Sequence, residues 1–246
     1  KPTISGILCG SCMKLGKFII SAGLIKRPGY YVESTCTGTL IREDTVLTAA
    51  HCLRNKSLYE PTEVRIKLLT GSVRRVNEVF VHPNFSDGCD LAILTHTSIG
   101  RPEFPKLPAK HLTTNQTCFS AGYGGSHVLK LIPVDLSTSF LGRVKTFFTV
   151  LFSDGSPCRG DSGGPLICGN VLYGVLSQGT VTSCMDRTGI VLYEDVFQDL
   201  PWIQQFLDRP VISYSWKNKK WIAYFIFGLL LYPTGQYDRA QVDARS

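Results

Sequence analysis

The segment Cys158-Arg159-Gly160-Asp161-Ser162-Gly163-Gly164-Pro165 constrains this chain more than any other stretch. A serine set among glycines and preceded by an aspartate suits a tight turn that exposes one hydroxyl. Glycine carries no Cβ, so the backbone there can approach another molecule closely. The N–H groups of Gly160 and Ser162 can then converge on an oxygen that gains negative charge during a reaction. Taken alone, the string also fits an ordinary surface turn. Two upstream segments decide between these readings.

Thr48-Ala49-Ala50-His51-Cys52 sets a histidine among small apolar residues. Such a histidine is by default a satisfied core or surface imidazole. The neighbouring cysteine raises metal ligation, but no second ligand stands at zinc-like spacing, so no metal is expected. Asp90-Leu91-Ala92-Ile93-Leu94 opens an apolar run with an aspartate. Its ordinary use is to start a strand or helix; its other use is to hold a histidine Nδ1–H and offset the imidazolium charge. Histidine, aspartate and serine in that chain order form one of the known orders of a catalytic triad.

With their flanking residues, the three segments resemble the trypsin/chymotrypsin-like serine proteases. The resemblance runs from about Cys36 to Phe206. Cys36-Thr37-Gly38-Thr39-Leu40-Ile41 is similar to the family's Cys-Gly-Gly-Ser-Leu-Ile strand, and Gly122-Tyr123-Gly124 to its Gly-Trp-Gly turn. Ser177-Gln178-Gly179 stands where the family has Ser-Trp-Gly, and Leu200-Pro201-Trp202-Ile203 resembles the opening of its C-terminal helix.

The resemblance implies an all-β fold of two six-stranded antiparallel barrels with a C-terminal helix. It implies His51 as general base, Asp90 as its partner, Ser162 as nucleophile and the Gly160 and Ser162 N–H groups as oxyanion hole. Ser177 would hydrogen-bond Asp90 from the far side. The reaction is acyl transfer from a peptide bond of a protein or peptide substrate. Water completes it, so no cofactor is needed. Activity should fall as His51 protonates. Ser156, six residues before the nucleophile, would form the base of the primary pocket and removes the negative charge that selects Lys or Arg. Gly179 leaves one wall open. Aligning Tyr193 with the family's tyrosine puts Val191 on the other wall, which favours small or medium aliphatic residues; an alignment on Gly189 would instead admit an aromatic ring. The resemblance also implies the disulfides Cys36–Cys52, Cys118–Cys168 and Cys158–Cys184.

Activation is where the chain departs from the pattern. In the family an activating protease frees an Ile-Val-Gly-Gly-like N-terminus, whose ammonium pairs with the aspartate before the nucleophile, here Asp161. Thr3-Ile4-Ser5-Gly6 and Ile19-Ile20-Ser21-Ala22-Gly23 are the two nearest matches. Neither is a clear start, which keeps a second class of function open: a protease-like binding or regulatory protein with weak or no catalysis.

The chain has 246 residues, 43% hydrophobic and 18% charged, which fits an ordered globular protein. Nine cysteines, with sequons at Asn55, Asn84 and Asn115, point to an oxidising, secretory compartment and a glycoprotein. Residues 1–20 show no clean signal peptide. The odd cysteine count leaves Cys9, Cys12 and Cys89 over, and a bridge from Cys9 or Cys12 to Cys89 would pin the N-terminal segment beside Asp90. A redox reading of Cys9-Gly10-Ser11-Cys12 lacks the βαβ pattern it needs.

Val64-Arg65-Ile66-Lys67-Leu68 alternates with strand period, and Val76, Val79, Val81 and Val171–Leu176 fall in further β-rich runs. Proline and glycine between Ile99 and Pro108 read as a link. The expected organisation is a peptidase domain over 1–208, with one barrel at about 1–105 and the other at about 110–208. Val196, Leu200, Ile203 and Leu207 recur at helical spacing, with Asp199 as cap and Pro201 in the first turn.

Residues 209–246 form a basic, apolar extension carrying +4 of the net +7 charge. Twelve helical residues, Trp221 to Tyr232, would span about 18 Å against a hydrocarbon core of about 30 Å. On length a spanning helix is not expected. Membrane-surface contact through 217–232 is the alternative to the preferred reading, a segment docked on the protease body or poorly ordered. No nucleic-acid motif accompanies the positive charge.

Overall fold

The computed structural model describes residues 19–27, 30–31, 36–53, 64–100, 103–113, 118–124, 129–138, 148–152, 156–180, 184–185 and 188–211. The alternation expected over Val64–Leu68 is seen in the strand formed there. In β5 (Val64–Lys67), Val64 and Ile66 are buried while Arg65 and Lys67 turn outward, the signature of a strand with one face on a core. The other strands of this half are β1 (Ile19–Arg27), β2 (Tyr30–Tyr31), β3 (Cys36–Arg42), β4 (Thr45–Thr48), β6 (Val73–Val81) and β7 (Ala92–His96). They pair in the order β2-β1-β3-β4-β7-β6-β5, and a further β1–β5 pairing closes six of them into a ring.

The second half comprises β8 (Cys118–Gly122), β9 (Lys130–Thr138), β10 (Phe148–Phe152), β11 (Pro165–Cys168), β12 (Val171–Gly179) and β13 (Thr188–Asp195). These form a closed barrel in the order β10-β13-β12-β11-β8-β9, sealed by antiparallel β9–β10 pairing. The two six-stranded antiparallel barrels agree with the expected fold class. Closure pairs the ring strands of each barrel on both sides, and β2 adds to the first as a short strand paired with β1.

The linking segment is not a bare tether. Lys106 N–H donates to Asn170 O at 2.8 Å and Leu172 N–H donates to Lys106 O at 2.9 Å, a parallel bridge to the second barrel. The C-terminal helix α1 (Leu200–Leu207) buries Ile203 and Phe206. Pro201 lies in its first turn as expected, but Asp199 does not cap it by side chain. The carboxylate faces the first half instead, with Oδ1 3.5 Å from His82 Nε2 and Oδ2 3.6 Å from Cys89 Sγ. A closer claim on the carboxylate has displaced the local cap. Arg42 ties down the other end of α1 by donating to Leu207 O and Arg209 O, each at 2.7 Å.

The three expected disulfides are present: Cys36–Cys52, Cys118–Cys168 and Cys158–Cys184. A cross-link over a loop of this length stabilises by about 3 kcal/mol, and the first fastens the histidine turn to β3. Cys9, Cys12, the start at Thr3 and the segment 217–232 lie outside the described residues. Among the described residues no helix is long and apolar enough to cross a membrane.

Candidate active site

Strand register brings the histidine and the aspartate together. β4 pairs with β7 so that Thr48 lies opposite Ala92. His51 follows β4 by three residues, on the 3-10 turn Ala50–Leu53, and Asp90 precedes β7 by two. His51 Nδ1 meets Asp90 Oδ2 at 2.6 Å, and the His51 backbone N–H donates to Asp90 Oδ1 at 2.8 Å. Ser177 Oγ, on β12 of the other barrel, donates to Asp90 Oδ2 at 2.6 Å. Three hydrogen bonds converging on one carboxylate hold Asp90 in one orientation. The Asp90 side chain is 8% exposed and that of His51 40% exposed, so the histidine ring's far edge is open to the cleft.

Ser162 sits between a tight turn and β11. Asp161 N–H donates to Cys158 O at 2.9 Å, closing a turn whose third residue, Gly160, has φ +104°. A positive φ at that place is the mark of a type II turn and requires glycine. The Asp161 carboxylate is buried and accepts N–H bonds from Gly124 at 2.6 Å and Cys158 at 2.7 Å. Thr37 N–H of β3 donates to Ser162 O at 2.8 Å. Cys52 Sγ lies 3.7 Å from Ser162 O and 3.9 Å from His51 Nε2, which brackets the distance between the nucleophile turn and the histidine. Among the described residues no hydrogen bond joins Ser162 Oγ to His51 Nε2, a gap that substrate-free sites of this kind commonly show.

The adjoining cleft holds about 580 Å3 and is lined by His51, Phe85, Gly88, Asp90, Ser177, Gln178 and Gly179. β12 and β13 set Gly179 opposite Val191, which is buried, while Gly189 pairs with Val150 on β10. Ser156 is buried and donates its N–H to Cys184 O at 3.2 Å. Burial pushes the Tyr123 hydroxyl up to about 12, so the ring beside the nucleophile turn stays neutral. Of Ile19–Gly23, one of the two candidate activation starts, Ile19–Ala22 pair along β1 with Cys36–Thr39, and only from Ser21 onward does β1 also pair with β5.

Among the described residues, two side-chain groups bring potential metal ligands together. Cys36, His51 and Cys52 do so only through sulfurs already joined in a disulfide. His82, Cys89 and Asp199 place three ligating atoms within 4.8 Å of one another. His82 Nδ1 accepts the Asn84 N–H at 3.2 Å, so the neutral ring carries its hydrogen on Nε2, the atom that faces Asp199. That tautomer suits a buried tie between α1 and the first barrel and does not suit a cation. The sequence reading missed this group because its members are far apart in the chain. It also missed Phe85 and Gly88 on the cleft wall, and the hydroxyl of Thr37. The signal for Thr37 was a threonine where the similar strand has glycine.

Two closed antiparallel barrels meeting at a His–Asp pair and a Gly-Asp-Ser-Gly-Gly turn define a class, the serine proteases of double-barrel architecture. The family model for trypsin matches residues 17–203, and the chain belongs to the trypsin family. It is 28% identical to trypsin from Sus scrofa over 196 residues, which is 69% of this chain and 84% of that protein. Trypsin from Xenopus laevis is 28% identical over 195 residues, 69% of this chain and 79% of the relative. Among solved structures, kallikrein-related peptidase 10 superposes with a TM-score of 0.61 at 25% identity, covering 79% of this chain and 97% of that one.

Proposed function

We propose that the protein is a secreted serine endopeptidase that cleaves peptide bonds after small or medium aliphatic residues. Ser162 Oγ attacks the scissile carbonyl carbon while His51 Nε2 takes its proton. The same proton passes from His51 to the leaving amine as the C–N bond breaks. Asp90 fixes the ring with hydrogen on Nδ1 and offsets the charge of the imidazolium. The N–H groups of Gly160 and Ser162 bind the oxyanion, each contributing about 3 kcal/mol to the lowering of the barrier. Water, activated by His51, hydrolyses the acyl-enzyme and restores the serine.

The observation that carries this reading is the bonding of Asp90, which accepts from His51 at two atoms and from Ser177 across the barrel interface. The uncharged Ser156, the open Gly179 and the buried Val191 opposite it support an apolar pocket of limited depth. An activating protease would release a cationic N-terminus that joins the Gly124 and Cys158 N–H groups on the Asp161 carboxylate. The disulfides support an oxidising, extracellular location, and exposed Asn84 in its sequon fits a glycan acceptor.

The test is cleavage of a diverse peptide library before and after limited proteolysis, with Ser162→Ala as control. The reading expects cuts after Ala, Val or Leu that vanish in the variant. Cuts after Lys or Arg overturn the pocket assignment. No cuts under either condition overturn hydrolysis and leave a binding protein.

A further inference from the structure

We propose that the Thr37 side chain is a positioning residue that sets the oxyanion donors of the nucleophile turn; the inference rests on the proteolytic reading above. Thr37 grips alternate peptide groups of that turn. The 160–161 peptide is held at both ends, with Asp161 N–H donating to Cys158 O at 2.9 Å and Thr37 Oγ1 donating to Gly160 O at 2.9 Å. The 162–163 peptide is held likewise, Thr37 N–H donating to Ser162 O at 2.8 Å and Gly163 N–H to Leu176 O at 2.7 Å. The 161–162 peptide between them carries the Ser162 N–H, and the 159–160 peptide, which lies between Cys158 O and the held 160–161 peptide, carries the Gly160 N–H. Among the described residues neither of those N–H groups is given to a protein acceptor.

A peptide group rotates as a plane, so fixing alternate planes restricts the ones between. Gly160 is where the turn would otherwise roll over, because glycine takes either sign of φ at similar cost. The hydroxyl of Thr37 is fully buried, and its oxygen accepts the Tyr123 N–H at 3.2 Å, which commits its own hydrogen to Gly160 O. Thr48 Oγ1 donates to Thr37 O at 2.8 Å and holds the clasp itself in place. The Cys-Gly-Gly-Ser strand that this segment resembles has glycine at the position, so the hydroxyl clasp belongs to this chain.

Thr37→Val removes the hydroxyl and keeps the branched shape, whereas Thr37→Ser keeps the hydroxyl. For each, kcat and KM are measured on a peptide that the wild type cleaves, together with the rate of fluorophosphonate labelling. Thr37→Val should lower kcat and labelling about tenfold, with KM within about twofold, and Thr37→Ser should stay close to wild type. Tenfold corresponds to about 1.4 kcal/mol, the size of one buried hydrogen bond. If Thr37→Val does not fold, Thr37→Gly takes its place with the same loss in kcat expected. An effect confined to KM, or an active wild type with a fully active hydroxyl-free variant, overturns the positioning role alone. A wild-type protein that neither cleaves nor labels ends the proteolytic reading and this inference with it.

Discussion

The two sides of the cleft are held by different kinds of bond. On the first barrel, His51 and Asp90 are oriented mainly through side chains, with Asp90 as the shared acceptor. On the second, the turn around Ser162 is oriented through backbone groups, at Cys158 O, Gly160 O, Ser162 O and Leu176 O. Each side also borrows one residue from the other barrel: Ser177 reaches Asp90, and Thr37 reaches the nucleophile turn. Side-chain orientation tolerates small backbone shifts but fails when one polar atom is lost. Backbone orientation tolerates most side-chain changes but fails when φ or close packing is disturbed.

That difference predicts distinct responses to substitution. The largest belongs to the reacting atoms. Ser162→Ala or His51→Ala should lower kcat by on the order of a millionfold with an unchanged melting temperature, as read by peptide hydrolysis and calorimetry. Gly163→Ala should act through the fold instead. Gly163 has φ +81°, and a Cβ there would collide with Thr48 Oγ1 and Thr37 O. The expected cost is about 3 kcal/mol, seen as a melting temperature lowered by about 10 °C. Equal stability of this variant would mean that the nucleophile turn is not packed as described.

Ser177→Ala sharpens the comparison from the other side. It removes one of three bonds to Asp90 while the other two remain, so kcat should fall about tenfold and the melting temperature by about 5 °C. The smallest effect lies away from the cleft. His96 is buried, and desolvation lowers its pKa below the usual histidine value, so the unfolded chain binds the proton more readily. Stability is therefore full above pH about 6.5 and is lost as pH falls through the lowered value. His96→Leu should flatten that part of the pH profile of the melting temperature.

Legibility in the sequence followed the same division. Side-chain chemistry can be read from residue type and order at His51, Asp90 and Ser162, whereas the Ser177 contact with Asp90 is legible only through the family resemblance. The cysteine pairs were legible through the family resemblance. The strands were legible where one face is polar, as in β5, because alternation needs two environments. The illegible parts depend on where distant backbones meet. Nothing local in Thr37 says that its hydroxyl will face Gly160 O, 123 residues away in the chain. Asp199 carried a good local signal for a helix cap, and a distant pairing with His82 and Cys89 overrode it.

The central claim is that the turn around Ser162 and the His51–Asp90 pair form one working site. Treating the purified protein with a fluorophosphonate, before and after limited proteolysis, and locating the label by mass spectrometry tests it most directly. The account predicts a single label on Ser162 that is lost in His51→Ala, with the N-terminus read in the same experiment identifying the partner of Asp161. A protein that stays unlabelled under both conditions, or labels equally well without His51, would contradict it.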